Sequence, residues 1–233
     1  YMPLPILLAH KIMKEYDNFR KTNPNFCPDA KCQVSVAYDN NKISYIDSIL
    51  VSASHTKEIS LENIRSEIKE KVINKVLNNY KQFVNVNLKI LINPAGEFTV
   101  WGSFSDSGCV GRKIVVDSYG SASMVGGGCF SSKNATKVDR SGAYFARFIA
   151  KNIVANKLAD ICQVQLSFAI GLEKPLTVNI ETFNTNKIPN EDIYNIVNKN
   201  FKFGLTDIIN KLNLLSTDLI TCTGKTVAEN IKG

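Results

Sequence analysis

The sequence predicts an α+β fold made of repeated two-layer units, each a small β-sheet covered on one face by helices. Three patterns predict it. Period-2 alternation over 32–38, 43–52 and 84–92 marks strands, and apolar residues at three- and four-residue spacing from Leu61 to Val76 mark an amphipathic helix. The order helix, hairpin, helix over 3–80 returns about 138 residues later over 141–200. No apolar run approaches the roughly 18 residues that span a bilayer, so no membrane partner is expected. With 44% apolar and 21% charged residues, the chain has globular rather than disordered, collagenous or coiled-coil composition. Its 233 residues suit one large domain or two small ones. It opens Tyr1-Met2 with no signal-peptide pattern, which suggests a piece of something longer.

Each element follows from local chemistry. Pro3 and Pro5 open a helix carrying Ile6, Leu7, His10, Met13 and Tyr16, and the pattern fades near Phe19. Cys32–Tyr38 and Ile43–Ser52 form a hairpin across the turn Asp39-Asn40-Asn41. Ser60 caps a long helix with the stripe Leu61, Ile64, Ile68, Val72 and Val76. A strand runs from Val84 to Ile92, then the turn Asn93-Pro94-Ala95-Gly96 leads into a short returning strand, Glu97–Trp101. From Gly102 to Arg140 the chain is rich in Gly, Ser and Lys, with one strand-like run, Ile114 to Val116. Ser141–Leu158 reads as a helix that is apolar on nearly every side and therefore buried. Cys162–Ile170 and Leu176–Phe183 form a second strand pair, followed by helices from Asn190 and over Leu205–Leu215. The expected division is a central unit at 1–101, a glycine- and lysine-rich active-site segment at 102–140, and a C-terminal unit at 141–233.

Charge narrows the partner. Lys and Arg number 28 against 21 Asp and Glu, so the net charge is 28 − 21 = +7. That surplus admits nucleic acid, a membrane surface or a polyanionic small ligand. Lys is spread along the chain, and its densest stretch, Ile64 to Lys81, is balanced by Glu, which describes a solvated helix face. Nucleic acid is therefore not expected, and a phosphate-bearing ligand is. Six cysteines form no Cys-x-x-Cys pair and only two His occur, so a zinc site is not expected. The cysteines read as reduced thiols of a cytoplasmic protein.

The chemistry concentrates in two clusters. Asp106-Ser-Gly-Cys-Val-Gly-Arg112-Lys113 precedes the Ile114 run, and Gly126-Gly-Gly-Cys-Phe-Ser-Ser-Lys133 to Arg140 runs into the next helix. Glycines let backbone amides approach an anion, a helix N-terminus adds its dipole, and Arg112, Lys113, Lys133 and Lys137 add charge. Any helical turn over 133–137 would put Lys133 and Lys137 on one face. A mobile surface loop with solvated lysines explains composition alone equally well. The P-loop look-alike Thr223-Gly-Lys-Thr226 fails because Leu219 stands where the first Gly is required.

Gly111-Arg-Lys-Ile-Val-Val-Asp-Ser-Tyr-Gly120, Gly126-Gly-Gly-Cys-Phe-Ser-Ser-Lys133 and Lys137-Val-Asp-Arg-Ser141 resemble the signature of S-adenosylmethionine synthetases (methionine adenosyltransferases). Met2-Pro-Leu-Pro, Pro28-Asp-Ala-Lys31, Asn93-Pro-Ala-Gly-Glu-Phe98, Ala150-Lys-Asn-Ile-Val154 and Ser167-Phe-Ala-Ile-Gly171 match in the same order. The resemblance covers roughly residues 2 to 215 and corresponds to the central and C-terminal parts of the family.

The resemblance implies attack of the methionine sulfur on ribose C5′ of ATP, departure of the triphosphate and its hydrolysis to phosphate and diphosphate. It implies two Mg²⁺ per site and K⁺. It also implies a homodimer or homotetramer with shared active sites, Lys133 and Lys137 serving the neighbouring subunit's site. Lys31, Arg112, Lys113 and Lys133 would act on the triphosphate. Asp29, Ala30, Glu97, Phe98 and Cys129 would complete the ATP site, Phe98 stacking beside adenine. Asp106 would hold the methionine amino group, Lys137 would lie near phosphate and methionine, and Asp139 near the metal. Alone, Asp139 also reads as the N-cap of the helix from Ser141.

Departures from the family pattern are Glu97 where Arg is common, Cys129 for Ala, and Ser132 and Asn134 in the Gly-Lys-Asp neighbourhood. The family's leading unit, which carries a His-Pro-Asp motif, is expected to be missing here; neither His10 nor His55 replaces it. From Ser216 onward the family's closing Tyr-Gly-His-Phe-Gly is not found. The chain alone is therefore expected to be inactive, and a truncated paralogue acting as a nucleotide-binding or scaffold subunit is the alternative expectation.

Overall fold

The computed structural model describes residues 1–216. The chain divides into two compact units, one spanning Met2–Gly108 and the other beginning at Cys109. Both mix helices and strands, in keeping with the α+β expectation. Among the described residues, no helix is long and apolar enough to cross a membrane.

In the first unit, helix α1 (Leu4–Arg20) starts at Pro3 and buries Leu4, Leu8, Ile12 and Tyr16, a stripe of four-residue spacing. Strands β1 (Phe26–Asp39) and β2 (Lys42–His55) pair antiparallel and extend well past the predicted 32–38 and 43–52. The extension is tolerated because exposed Pro28 falls where the register breaks between Phe26 and Ala30, on the outer strand. Asn40 (φ 46°) and Asn41 (φ 63°) form the two-residue connection, whose left-handed backbone suits the right-handed twist of the strands. Strand β3 (Val84–Ile92) joins β2 in parallel, giving the order β1-β2-β3.

The predicted long helix before β3 is interrupted. Its pieces are α2 (Leu61–Glu67), a π-helical segment (Ile68–Ile73) and α3 (Asn74–Leu77). Ser60 caps it as expected, its hydroxyl accepting from the Asn63 N–H at 3.3 Å. The wider turn slips the apolar phase by one residue, so Ile73 and Leu77 are buried beside the predicted Val72 and Val76. These residues meet α1 and the inward row Ile49, Val51 and Ala53 of β2 in one core. Each fully buried Leu or Ile there contributes roughly 1.5–3 kcal/mol.

The short strand predicted at Glu97–Trp101 does not form. After β3 the turn at Asn93 (φ 44°) and Gly96 (φ 101°) breaks the ladder, and the chain follows β2 on individual tethers. Asn93 offers its side-chain amide to both backbone groups of Ala53, at 2.8 and 3.0 Å.

In the second unit, Ile114–Val116 is not a strand: α5 (Ile114–Asp117) is a single helical turn. The Ser118 hydroxyl donates to the Ile114 carbonyl at 2.8 Å and closes that turn, where no neighbouring strand is available to β-branched residues. The long helix α6 runs from Val138 to Ala155, three residues earlier than predicted. It buries one face, with Tyr144, Phe145, Ile149 and Ile153, while most other positions remain partly exposed; it is not apolar-buried all round. Strands β4 (Gln163–Ser167) and β5 (Thr177–Glu181) pair antiparallel as predicted. Helices α7 (Asn190–Asn200) and α8 (Leu205–Lys211) complete the unit. Phe145 meets Phe201 and Phe203 edge-on at 6.0 and 5.9 Å, anchoring the α7–α8 connection to α6. Helix, antiparallel pair, helix is thus common to both units, and the first adds β3. Cys222, the Thr223–Thr226 look-alike and the C-terminal departure beyond Ser216 lie outside the described residues.

Candidate functional site

Within the first unit, the predicted site residues gather on the tethered segment and the start of β1. The Asp29 carboxylate accepts the Gly102 N–H at 2.7 Å. The Gly102 carbonyl in turn accepts from Ser105 and Asp106, at 3.0 and 3.3 Å, starting the short turn α4 (Ser103–Asp106). Gly102 adopts φ 79°, a left-handed conformation that β-carbon-bearing residues rarely take, so it lets the chain bend between Asp29 and Asp106. Lys31 lies opposite Ser52 in the β1–β2 register, exposed and on the other face of the sheet from Ala30 and Cys32. Phe98 is partly exposed, and Glu97 and Asp106 are exposed.

His55 is a buried polar residue beside these candidates that sequence reasoning set aside. It is 1% exposed, and both ring nitrogens are engaged. The Phe98 N–H donates to Nε2 at 3.0 Å, and Nδ1 lies 2.7 Å from the Thr56 carbonyl, which can only accept. A signal was present: period-2 alternation puts His55 on the inward face with Val51 and Ala53, where a polar ring must find partners.

Within the second unit, Gly111 (φ 79°) makes the turn that carries Arg112 and Lys113. A β-carbon there would sit 2.4 Å from Cβ of Cys129, so the two glycine-rich stretches are in direct contact. Tyr119, at the end of the first stretch, lies under the guanidinium of Arg147 on α6, 5.6 Å from ring centroid to Cζ. Burial raises the Tyr119 phenol above its ordinary range, and the nearby Arg147 charge offsets part of that rise.

The second stretch is fastened to the first turn of α6. Arg140, 2% exposed, donates to the Lys133 carbonyl and to the Tyr144 hydroxyl, both at 2.9 Å. The Ser141 hydroxyl donates to the Ala135 carbonyl. The Lys133 ammonium meets the Asp139 carboxylate at 2.5 Å. Asp139 and, secondarily, Cys129 raise the Lys133 pKa, so this side chain stays cationic at neutral pH. Gly128 is packed against Asp139, leaving no room for a β-carbon, which would lie 2.3 Å from Cγ.

Lys133 and Lys137 do not share a helical face, because 131–137 is a turn rather than a helix. Lys137 itself occupies the N-cap of α6, and Asp139 falls in the first turn, not at the cap. Among the described residues, Arg112, Lys113 and Lys137 are exposed and form no ion pair. The arrangement is one cation held in place by a carboxylate, with three further cations on a glycine-rich backbone. It offers charge-assisted hydrogen bonds to an extended polyanion. No group of three or more His, Cys, Asp or Glu among the described residues can hold a metal ion, and Asp139 is occupied by Lys133.

Comparison with known proteins also gives two consecutive parts, divided near residue 99 rather than at 108. The family model described as S-adenosylmethionine synthetase, central domain, matches residues 1–98, and that for the C-terminal domain matches residues 100–228. The chain is 48% identical over 216 residues to a protein of Clostridium botulinum (strain Alaska E43 / Type E3) named S-adenosylmethionine synthase, covering 92% of this chain and 55% of the relative. It is 47% identical over 218 residues to the S-adenosylmethionine synthase of Petrotoga mobilis (strain DSM 10674 / SJ95), covering 92% of this chain and 54% of that protein. The chain therefore spans about half the length of the curated relatives it matches. Motifs, two consecutive domain matches and this identity agree: the chain belongs to the S-adenosylmethionine synthetase family and comprises its central and C-terminal domains.

Proposed function

We propose that this chain supplies the triphosphate- and adenine-binding part of an enzyme that converts ATP, L-methionine and water to S-adenosylmethionine, phosphate and diphosphate. The observation that carries the reading is the cationic centre built by Lys133, Asp139 and Arg140 beside the Gly111–Cys129 contact. Displacement at ribose C5′ requires alignment of sulfur, carbon and leaving oxygen and stabilisation of a departing polyanion. Lys133, Arg112 and Lys113 of the second unit meet the second demand with positive charge, and Lys31 of the first unit is assigned the same role. Phe98 stacks beside the adenine, flanked by Glu97, while Asp29 and Ala30 serve the nucleoside. Cys129 lines the phosphate side, Asp106 holds the methionine amino group and Lys137 lies near phosphate and methionine.

Mg²⁺ and K⁺ belong to this reading as the ions of the reaction. Among the described residues no three or more His, Cys, Asp or Glu side chains gather, and Asp139 is the residue that would lie near Mg²⁺. Assembly as a homodimer or homotetramer with shared sites is supported by the exposed apolar side chains Phe104 (93%) and Met124 (85%) within segment 102–140. A cytoplasmic location is supported by Cys27, Cys32, Cys109, Cys129 and Cys162 all being free thiols. Formation of S-adenosylmethionine from ATP and methionine, with Mg²⁺ and K⁺ present, tests the reading when the chain is assembled with the leading part of a relative's synthase. Product formation that disappears on Lys133→Met supports it. Turnover untouched by that substitution would overturn the assignment.

A further inference from the structure

We infer that His55 is a positioning residue for nucleobase recognition: held as its Nδ1–H tautomer, it grips Phe98 through both backbone groups and presents the ring to a planar base. The inference rests on the proposed ATP site and adds to it a residue outside the matched motifs.

The grip is two-sided. The His55 backbone N–H donates to the Phe98 carbonyl at 3.0 Å, and the Phe98 N–H donates to Nε2 at 3.0 Å. A backbone N–H can only donate, so Nε2 carries no proton; the Thr56 carbonyl can only accept, so Nδ1 does. The hydrogen-bond network thus assigns one neutral tautomer with both nitrogens satisfied, which makes the burial of this ring inexpensive.

Among the described residues, no other hydrogen bond tethers the middle of the segment. Asn93 holds its beginning to Ala53, and Asp29 holds its end at Gly102. Between them 97–101 has no strand ladder, and Phe98 does not join the buried core of its unit. Its ring is therefore located by its backbone rather than by packing around it, and stays partly exposed. A ring fixed in this way stacks on a base without first being ordered, which is the advantage of preorganisation.

The test compares ATP with inorganic tripolyphosphate, each titrated calorimetrically into the full 233-residue chain and into its His55→Leu and His55→Gln variants. In His55→Leu, ATP affinity should fall roughly tenfold while tripolyphosphate affinity holds. In His55→Gln the amide oxygen replaces the Nε2 acceptor, so most of the ATP preference should return. Equal loss for both ligands, or no loss, would overturn the inference. A wild-type chain that binds tripolyphosphate without preferring ATP also overturns it, yet leaves the triphosphate reading standing. Binding of neither ligand removes both. Nitrogen-15 spectra of labelled histidine check the tautomer independently of folding in the variants. Protonated Nδ1 with bare Nε2 at His55 is expected, and the reverse tautomer would contradict the mechanism.

Discussion

Lys133 shows how much of a site is decided by a few atoms. Its ammonium is held by Asp139 and its carbonyl by Arg140, so charge and backbone are located together. Replacing it by Met should weaken tripolyphosphate binding by about 2 kcal/mol, roughly thirtyfold in Kd, without lowering the melting temperature. The thiols carry a second prediction. Burial pushes Cys32 and Cys162 from 9.0 up to about 12, whereas Cys109 is exposed. A folded state that keeps those protons while the unfolded chain releases them loses stability as pH rises from about 9 to about 12. Urea midpoints should fall across that window, and Cys32→Ala should flatten the slope; an unchanged slope would remove Cys32 as a cause. The charged candidates were legible one by one, because Lys and Arg in a glycine-rich motif announce themselves. His55 was legible only as an inward-facing polar residue, since its hydrogen-bond partner Phe98 lies 43 residues away.

At the scale of elements, alternation and helical spacing located the strands and long helices, while neighbours set their ends. The slip at Ile73 and Leu77 needs a wider turn that no single-period stripe reveals. Glu97–Trp101 has strand-like residues, but the Ala53 backbone groups on β2 are met by the Asn93 side chain, and the Phe98 N–H is taken by the His55 ring. Asn93→Ala should therefore cost about 2–3 kcal/mol by leaving two buried backbone groups of Ala53 unpaired, as read by chemical denaturation. Gly111→Ala combines a left-handed backbone with a collision at Cys129 and should cost about 1–3 kcal/mol. Adding Cys129→Gly should recover only part of that loss, because the backbone strain remains. Full recovery would show that contact alone is responsible.

For the whole molecule, the fold class was legible because two units repeat one order of elements, and the family was legible because its motifs lie in sequence order along both. How the cationic stretch folds was not: a run of Gly, Ser and Lys describes a solvated loop equally well until Arg140, Ser141 and Asp139 are seen to fasten it to α6. Exposed Phe104 and Met124 predict self-association, so sedimentation should give a mass at least twice 25.8 kDa, and Phe104→Ser should shift it toward one copy. The central claim is that this chain carries the triphosphate-binding half of the synthetase. Calorimetric titration of the 233-residue chain with magnesium tripolyphosphate at moderate salt tests it most directly. Saturable binding that is lost in Lys133→Met is the predicted result. No binding, or binding indifferent to that substitution, would contradict the account.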